Sequence, residues 1–161
     1  MAAKPVPEGF HTITPYLIVR DAQKAVEFYK RAFGAEALSV HRMPDGKVMH
    51  AELKIGDSRL MLNDEFPEMK AVSPQSLGGS PVTLHIYVKD VDSLFNQAVA
   101  AGATATMPLM DAFWGDRYGK LSDPFGHHWS LATHKEDLTP QEVEKRGAAA
   151  LAQMSKGASR H

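Results

Sequence analysis

The sequence predicts an α+β fold in which two βαβββ modules in tandem form curved mixed sheets around a cavity, followed by a C-terminal helix. The main observation is an internal repeat, because Thr14–Asp21 (TPYLIVRD) and Thr83–Asp90 (TLHIYVKD) start 69 residues apart. Each copy leads into a segment with apolar residues at helical spacing. This repeat is too long for a solenoid unit and too short for two independent domains. We therefore expect two copies of one unit that share a core and leave a cleft suited to a small molecule.

The first module is expected to span residues 11–64, after an N-terminal leader at residues 1–10. Ile13–Arg20 reads as a strand, Asp21 is suited to cap the helix that follows, and Gly34 is suited to end it. Turn signals then separate three further predicted strands, at Ala37–Met43, Val48–Ile55 and Arg59–Asn63. The order of elements in this module is therefore βαβββ.

The second module is expected at residues 82–134, with a linker or a loop over the pocket at residues 65–81. Asp90 or Asp92 would cap its helix, which ends at Gly102. Its predicted strands are Leu84–Val88, Thr104–Met107, Arg117–Ser122 and His128–Thr133, with a less regular segment at Pro108–Gly119.

Residues 135–161 form the predicted C-terminal helix and tail. Thr139 and Glu142 have the spacing of a capping box, and Pro140 suits the first helical position. We expect a helix from about Pro140 to Met154, which docks on the domain or on a partner subunit, and a frayed end at Ser155–His161.

Composition excludes several classes of function. The net charge of −1, with basic residues dispersed among acids, argues against nucleic acid as a partner. The absence of cysteine excludes disulfides and thiolate chemistry. No apolar run is long enough to span a bilayer, and the leader lacks the apolar stretch of a signal peptide. The expectation is a cytoplasmic domain with no membrane partner.

Two motifs carry a family resemblance, Phe113–Gly119 (FWGDRYG) and Asp123–Trp129 (DPFGHHW). Together with the duplicated module, they resemble the vicinal oxygen chelate superfamily, which includes glyoxalase I, extradiol dioxygenases, and fosfomycin- and bleomycin-resistance proteins. The motifs look most like the PhnB-like branch, sometimes labelled 3-demethylubiquinone methyltransferase-like. The resemblance covers about residues 11–146 and implies one glyoxalase-like domain overall, commonly a homodimer.

The resemblance also implies four positions for metal ligands, on the first strand and on a later strand of each module. The first-strand positions fall on Thr14 and Thr83, and the last carboxylate position falls on Ser130. Glu52 is the one carboxylate near an expected place. Because hydroxyls are poor ligands for a first-row divalent ion, we expect no metal and no other cofactor.

A displaced metal site is the alternative. Side chains alternate along strands, so His50 shares a face with Glu52, His85 with Thr83, and His128 with Ser130. If these faces point inward, His50, Glu52, His85 and His128 line one cavity and are able to hold zinc, nickel or iron. Otherwise they are hydrogen-bonded polar groups of the pocket.

Aromatic and basic residues complete the predicted ligand-binding set. Trp114, Arg117 and Tyr118 suit an anionic or planar ligand, through stacking and bidentate hydrogen bonds. The alternative is that these residues have a structural role: Arg117 forms an ion pair with Asp116 or Asp123, and Trp114 covers the end of the sheet. Tyr16 and Tyr87 share the predicted inward face and place their hydroxyls near the cavity or simply pack.

Two functions follow from these observations. The first is a glyoxalase/bleomycin-resistance-type protein that binds a small molecule without catalysis. The second is a lyase or isomerase-like enzyme that uses Glu52 or His85 as general acid or base, with or without a displaced metal. A methyltransferase is a weaker third hypothesis, since it depends on a family label and no loop for a nucleotide-type cofactor is present.

Overall fold

The computed structural model describes residues 2–158 and contains two four-stranded mixed sheets with helices. The first module contains β1 (Tyr16–Val19), α1 (Ala22–Phe33), β2 (Glu36–Arg42), β3 (Val48–Ile55) and β4 (Ser58–Asp64). After the short α2 (Pro74–Leu77), the second module contains β5 (Thr83–Tyr87), α3 (Val91–Ala101), β6 (Thr104–Asp111), β7 (Asp116–Ser122) and β8 (His128–His134), and α4 (Pro140–Ala158) follows. The strand orders are β1-β4-β3-β2 and β5-β8-β7-β6, so the predicted fold class is confirmed.

The module helices α1 and α3 begin as predicted from their capping residues. The Asp21 carboxylate accepts a hydrogen bond from Lys24 N at 3.1 Å, and Asp90 accepts one from Ser93 N at 3.0 Å. Of the two candidate caps for α3, Asp90 is therefore the cap. Gly34 ends α1 in the left-handed conformation, with φ of 65°.

The 69-residue spacing of the repeat persists in the pairing of the strands. Tyr16 on β1 lies beside Met61 on β4, and His85 on β5 lies beside Ser130 on β8. The same spacing relates two buried hydrogen bonds, from Ala22 N to Asp64 Oδ1 at 2.8 Å and from Val91 N to Thr133 Oγ1 at 2.9 Å. The duplication is thus seen both in the sequence motif and in the strand register of the two sheets.

A buried carboxylate joins the two modules. Asp123, in the β7–β8 turn, accepts hydrogen bonds from the Tyr29 hydroxyl of α1 at 2.6 Å and from Trp129 Nε1 at 2.9 Å. Its other oxygen accepts the backbone N–H groups of Phe125 and His127 at 2.9 and 3.0 Å. Four donors thus form hydrogen bonds with the two Asp123 oxygens, so the carboxylate is buried with its hydrogen-bonding capacity used.

Several boundaries differ from the sequence-based expectation. β6 continues to Asp111 through Pro108, which the sequence pattern places in an irregular segment. Pro108 is tolerated because β6 is the edge strand of its sheet and its register with β7 is irregular. The predicted linker also holds a 3₁₀ turn at Pro67–Met69 besides α2.

The C-terminal helix begins with the predicted capping box. Thr139 N donates to Glu142 Oε2 at 2.7 Å, and Glu142 N donates to Thr139 Oγ1 at 3.2 Å. The helix contacts the domain where Gly147 lies against Phe113. It remains helical to Ala158, beyond the predicted end, and residues 159–161 of the expected frayed tail lie outside the described residues. Within residues 2–158, no helix has the length and apolarity needed to cross a membrane.

Candidate ligand-binding site

Each sheet packs one face on the helices and leaves the other face open. On the first sheet, the open face carries Tyr16, Met61 and Glu52 side by side, because these residues are in register across β1, β4 and β3. On the second sheet, the corresponding row is His85, Ser130 and Lys120. We call these the first and the second open face. The predicted alternation of faces is therefore correct, but the two faces belong to separate sheets.

A hydrogen-bonded chain crosses the first open face. The Tyr16 hydroxyl lies 2.9 Å from His50 Nδ1, and His50 Nε2 lies 3.4 Å from Glu52 Oε1. If Nε2 carries the imidazole proton and donates it to the carboxylate, Nδ1 accepts from the tyrosine. Burial raises the pKa of the Tyr16 hydroxyl further above its ordinary value of 10.0, so this group is protonated at neutral pH.

His85 is the central polar group of the second open face. Its Nδ1 lies 2.5 Å from Ser130 Oγ, and its ring meets the edge of the Tyr87 ring with centroids 4.5 Å apart. Burial lowers the pKa of His85, and the negative charge of Asp116 offsets this only in part. His85 is therefore neutral at pH 7 and is able to accept or donate one proton.

Asp116 and His134 are not among the site residues predicted from the sequence, yet they organise this end of the second sheet. The Asp116 carboxylate, only 4% exposed, accepts hydrogen bonds from the Tyr87 hydroxyl at 2.9 Å, Trp114 Nε1 at 3.0 Å and His134 Nδ1 at 2.7 Å. Burial is the largest influence and raises the pKa of Asp116, but the three hydrogen bonds together lower it below its usual value. Alternation along β8 from His128 would have placed His134 on this face.

Arg117 lies on the opposite face of the sheet and apart from Trp114 and Tyr118. Its guanidinium binds Asp92 of α3 through two hydrogen bonds, of 2.7 and 2.8 Å, and contacts Asp111 at 3.4 Å. These carboxylates raise the pKa of Arg117, with the Asp92 hydrogen bonds as the main cause. The rings of Trp114 and Tyr118 do contact each other, with centroids 5.1 Å apart. The charge of Arg117 is thus already paired.

A cavity of about 460 Å³ lies between the two modules. His85 and Tyr87, both predicted site residues, line it, and Arg59 lies at its wall. Its apolar lining includes Phe33, Leu84, Ile86, Leu94 and Trp129. We call this the inter-module cavity, and its wall combines these apolar side chains with polar and charged groups, as ligand pockets do.

A second cavity of about 460 Å³ lies beside the first open face, under residues 5–12, which we call the strap. The strap supplies Pro5, Val6, Pro7, Phe10, His11 and Thr12, and the domain supplies Thr14, Glu52 and Met61. We call this the strap cavity. His11 and Thr14 line both cavities, so the two are neighbours.

Comparison with known proteins identifies the family. Residues 9–131 match the Glyoxalase/Bleomycin resistance protein/Dioxygenase superfamily, and the chain belongs to this superfamily. An uncharacterized protein of Mycobacterium bovis is 47% identical over 135 residues, which cover 82% of this chain and 89% of that protein. The resemblance stated from the sequence is therefore confirmed.

Solved structures show the same fold. TioX from Micromonospora is 28% identical with a TM-score of 0.62, and the match covers 77% of this chain and 98% of that one. The PhnB protein from Bacillus cereus is 23% identical with a TM-score of 0.59, and the match covers 76% and 99% of the two chains. At this identity the second likeness establishes the fold alone.

The side chains at the superfamily's metal positions do not fit a divalent ion. The strand register shows that Met61, rather than Glu52, is the counterpart of Ser130, since each lies beside the first strand of its module. Glu52 lies one strand further, on β3, where the second module has Lys120. With Thr14 and Thr83, the four positions offer hydroxyls and a thioether in place of imidazole and carboxylate.

The alternative set is also not gathered into a metal site. Among residues 2–158, no group of three or more histidine and carboxylate side chains is placed to hold a metal ion. His50 and Glu52 lie on the first open face, whereas His85 and His128 lie on the second, with His128 in register with Thr83.

Proposed function

We propose that this protein binds a small organic molecule and does so without the metal chelate of its superfamily. The observation that carries this proposal is the set of neutral side chains, Thr14, Met61, Thr83 and Ser130, at the four positions that would hold the metal. Such a set favours a ligand held by apolar contact and hydrogen bonds. The inter-module and strap cavities, which are neighbours, offer the space for it.

Metal content and dye binding test this proposal together. We expect purified protein, incubated with zinc, nickel or iron salts and then desalted, to carry well below one metal ion per chain by mass spectrometry. We expect the neutral dye Nile red to bind, and Leu84→Trp, which fills the inter-module cavity, to weaken this binding. Val99→Trp, on an exposed part of α3, is the matched control. Stoichiometric metal, or no dye binding, would contradict the proposal, and dye binding that is unchanged by Leu84→Trp would exclude the inter-module cavity as the site of the dye.

An acid–base enzyme of the lyase or isomerase type is a second candidate, favoured by the chain Tyr16–His50–Glu52. A carboxylate, an imidazole and a hydroxyl in this order are able to pass a proton between a ligand and solvent. Glu52 or the neutral His85 would be the group that meets the substrate. Exchange of the C–H protons of hydroxyacetone with deuterated water, followed by NMR, tests this activity. If the wild-type protein exchanges these protons no faster than the Glu52→Gln and His85→Ala variants do, acid–base catalysis on this substrate is excluded.

We further propose that two copies associate through the open faces. Tyr16 is 46% exposed and Tyr87 is 62% exposed in the single chain, and both lie on these faces. A homodimer would cover them and narrow the ligand site. Sedimentation equilibrium should give twice the mass of one chain, and a mass equal to one chain at all concentrations would refute the association.

A further inference from the structure

We propose that the strap cavity selects an organic cation, a primary amine on a short apolar body, and that Glu52 binds its ammonium group. The inference rests on the proposed small-molecule binding and adds the chemical class of the ligand. It depends on the charge of the cavity wall, on the apolar character of the strap and on the way in which the strap is held.

Glu52 is the source of charge in the strap cavity. Apart from His11, the other described residues that line it are apolar or carry uncharged polar groups. The Glu52 side chain is 27% exposed and meets His50 with Oε1 at the long distance of 3.4 Å. Its Oε2 accepts no hydrogen bond from the residues that the structure describes. One carboxylate oxygen is thus available to a ligand in a partly desolvated place, where a charge-assisted hydrogen bond is strong.

The rest of the cavity suits the apolar part of such a ligand. Pro5, Val6, Pro7 and Phe10 form the strap side, and the Met61 thioether lies beside Glu52 on the domain side. A volume of about 460 Å³ lies in the range of small-molecule pockets. The aromatic face of Phe10 and the polarizable Met61 sulfur both attract a flat apolar group. A single aromatic ring with an aminomethyl group therefore fits the chemistry of this wall.

The strap is docked on the domain by Arg59. The Arg59 Nε–H donates to the Gly9 carbonyl at 3.3 Å, and the guanidinium lies over the Phe10 ring, 5.3 Å from its centroid. Gly9 has a φ of +80°, and a Cβ at this position would overlap Arg59 Nη2. The positive φ therefore favours glycine here, and any other residue would also displace the end of the Arg59 side chain. Arg59 lines the inter-module cavity and is not among the residues that line the strap cavity.

The second module supports the inference by contrast. The counterpart of Glu52 in the repeat is Lys120, on the second open face beside Ser130. The two side chains at this one position of the repeat therefore carry opposite charges. A carboxylate able to bind an ammonium group is present at this position in the first module, whereas the second module has an ammonium group there.

Three probes that share one ring but differ in charge test the proposal: benzylamine, benzyl alcohol and benzoate. Affinities are measured at pH 7.5 and low salt by calorimetry and by saturation-transfer NMR. We expect benzylamine to bind about tenfold more tightly than benzyl alcohol, and benzoate to bind most weakly. Glu52→Gln should weaken benzylamine binding about tenfold and leave benzyl alcohol unchanged. Glu36→Gln, an exposed carboxylate on β2 of the same sheet, should change neither.

Phe10→Ala is a second variant, which tests the strap cavity even if Glu52→Gln disturbs folding. Phe10 lies on the strap, outside the hydrophobic core, so its replacement should leave the fold intact. It should weaken both benzylamine and benzyl alcohol several-fold, since it removes apolar contact. Equal affinities for the three probes in the wild-type protein would overturn the cation selectivity, while Nile red binding would still support the proposed function. Benzylamine affinity that survives both Glu52→Gln and Phe10→Ala, or no benzylamine binding at about 10 mM, would also overturn it.

Discussion

The hydrogen bond between Tyr29 and Asp123 gives a quantitative test of how the two modules are joined. The Tyr29 side chain is fully buried, and its hydroxyl donates to Asp123 Oδ2 at 2.6 Å. Tyr29→Phe removes this donor but keeps the ring, which packs against Phe33 and Trp129. The substitution therefore isolates one hydrogen bond to a buried charge.

The expected loss follows from the surroundings of Asp123. The carboxylate is 5% exposed, so water does not readily replace the missing hydroxyl, and Trp129 Nε1 remains as the donor to Oδ2. Hydrogen bonds to charged groups contribute about 1.5–3 kcal/mol, and Tyr29→Phe should lower the free energy of unfolding by this amount. Urea denaturation at pH 7, followed by circular dichroism, measures the change.

Tyr118→Phe is the matched control. No hydrogen bond from the Tyr118 hydroxyl to another described residue is found, so its removal should change the free energy of unfolding by less than about 0.5 kcal/mol. Equal effects of the two substitutions would refute the assignment of Asp123 as a stabilising link between the modules.

The same contact predicts how the free energy of unfolding changes at high pH. Burial, and then the charge and hydrogen bond of Asp123, raise the pKa of Tyr29 well above the ordinary value of 10.0. The folded protein therefore keeps a proton that the unfolded chain releases near pH 10. The contribution of Tyr29 is complete below pH 10 and declines as the pH rises above this value. Tyr29→Phe should make the loss of stability above pH 10 less steep, and an unchanged slope would contradict the linkage.

Three further perturbations test other contacts. The hydrogen bond to Asp116 is the main cause of the raised pKa of His134, and the one to Asp137 is the second. Asp116→Asn should therefore lower the pKa of His134 toward its ordinary 6.5, and an NMR titration that shows no change would contradict this. Gly147→Leu should release α4 from the domain, because even a Cβ at this position would lie only 3.0 Å from Phe113 Cε2. Limited proteolysis should then cut α4 faster than in the wild type, while the rest of the domain resists. Arg59→Ala should free the strap and speed deuterium exchange of its amides, and exchange at the wild-type rate would show that Arg59 does not hold it.

The fold was largely predictable because its signals are local. Asp21 and Asp90 cap helices a few residues away, and strand alternation places His85 and Thr83 on one face regardless of the rest of the chain. The irregular Pro108 segment was missed because edge position, which allows proline in a strand, depends on the whole sheet.

The site was less predictable because it depends on which strands are neighbours. Periodicity shows the face of a residue but not its strand partner, so Met61 and Glu52 are not distinguished until β1 is seen beside β4. Likewise, Arg117 finds Asp92, 25 residues away, and Tyr87 finds Asp116, 29 residues away. Such pairs depend on tertiary packing, which local pattern does not record.

The buried carboxylate of Asp123 joins the two modules at a place remote from the peptide segment that links them. Besides Tyr29, which reaches Asp123 from the first module, Gln97 donates to the backbone carbonyls of Arg31 and Ala32, at 3.0 and 3.2 Å. None of these contacts passes through the exposed glycines that follow α2 at residues 78–79. We therefore expect the two modules to stay associated when the chain is cut, or its termini are moved, at this exposed loop.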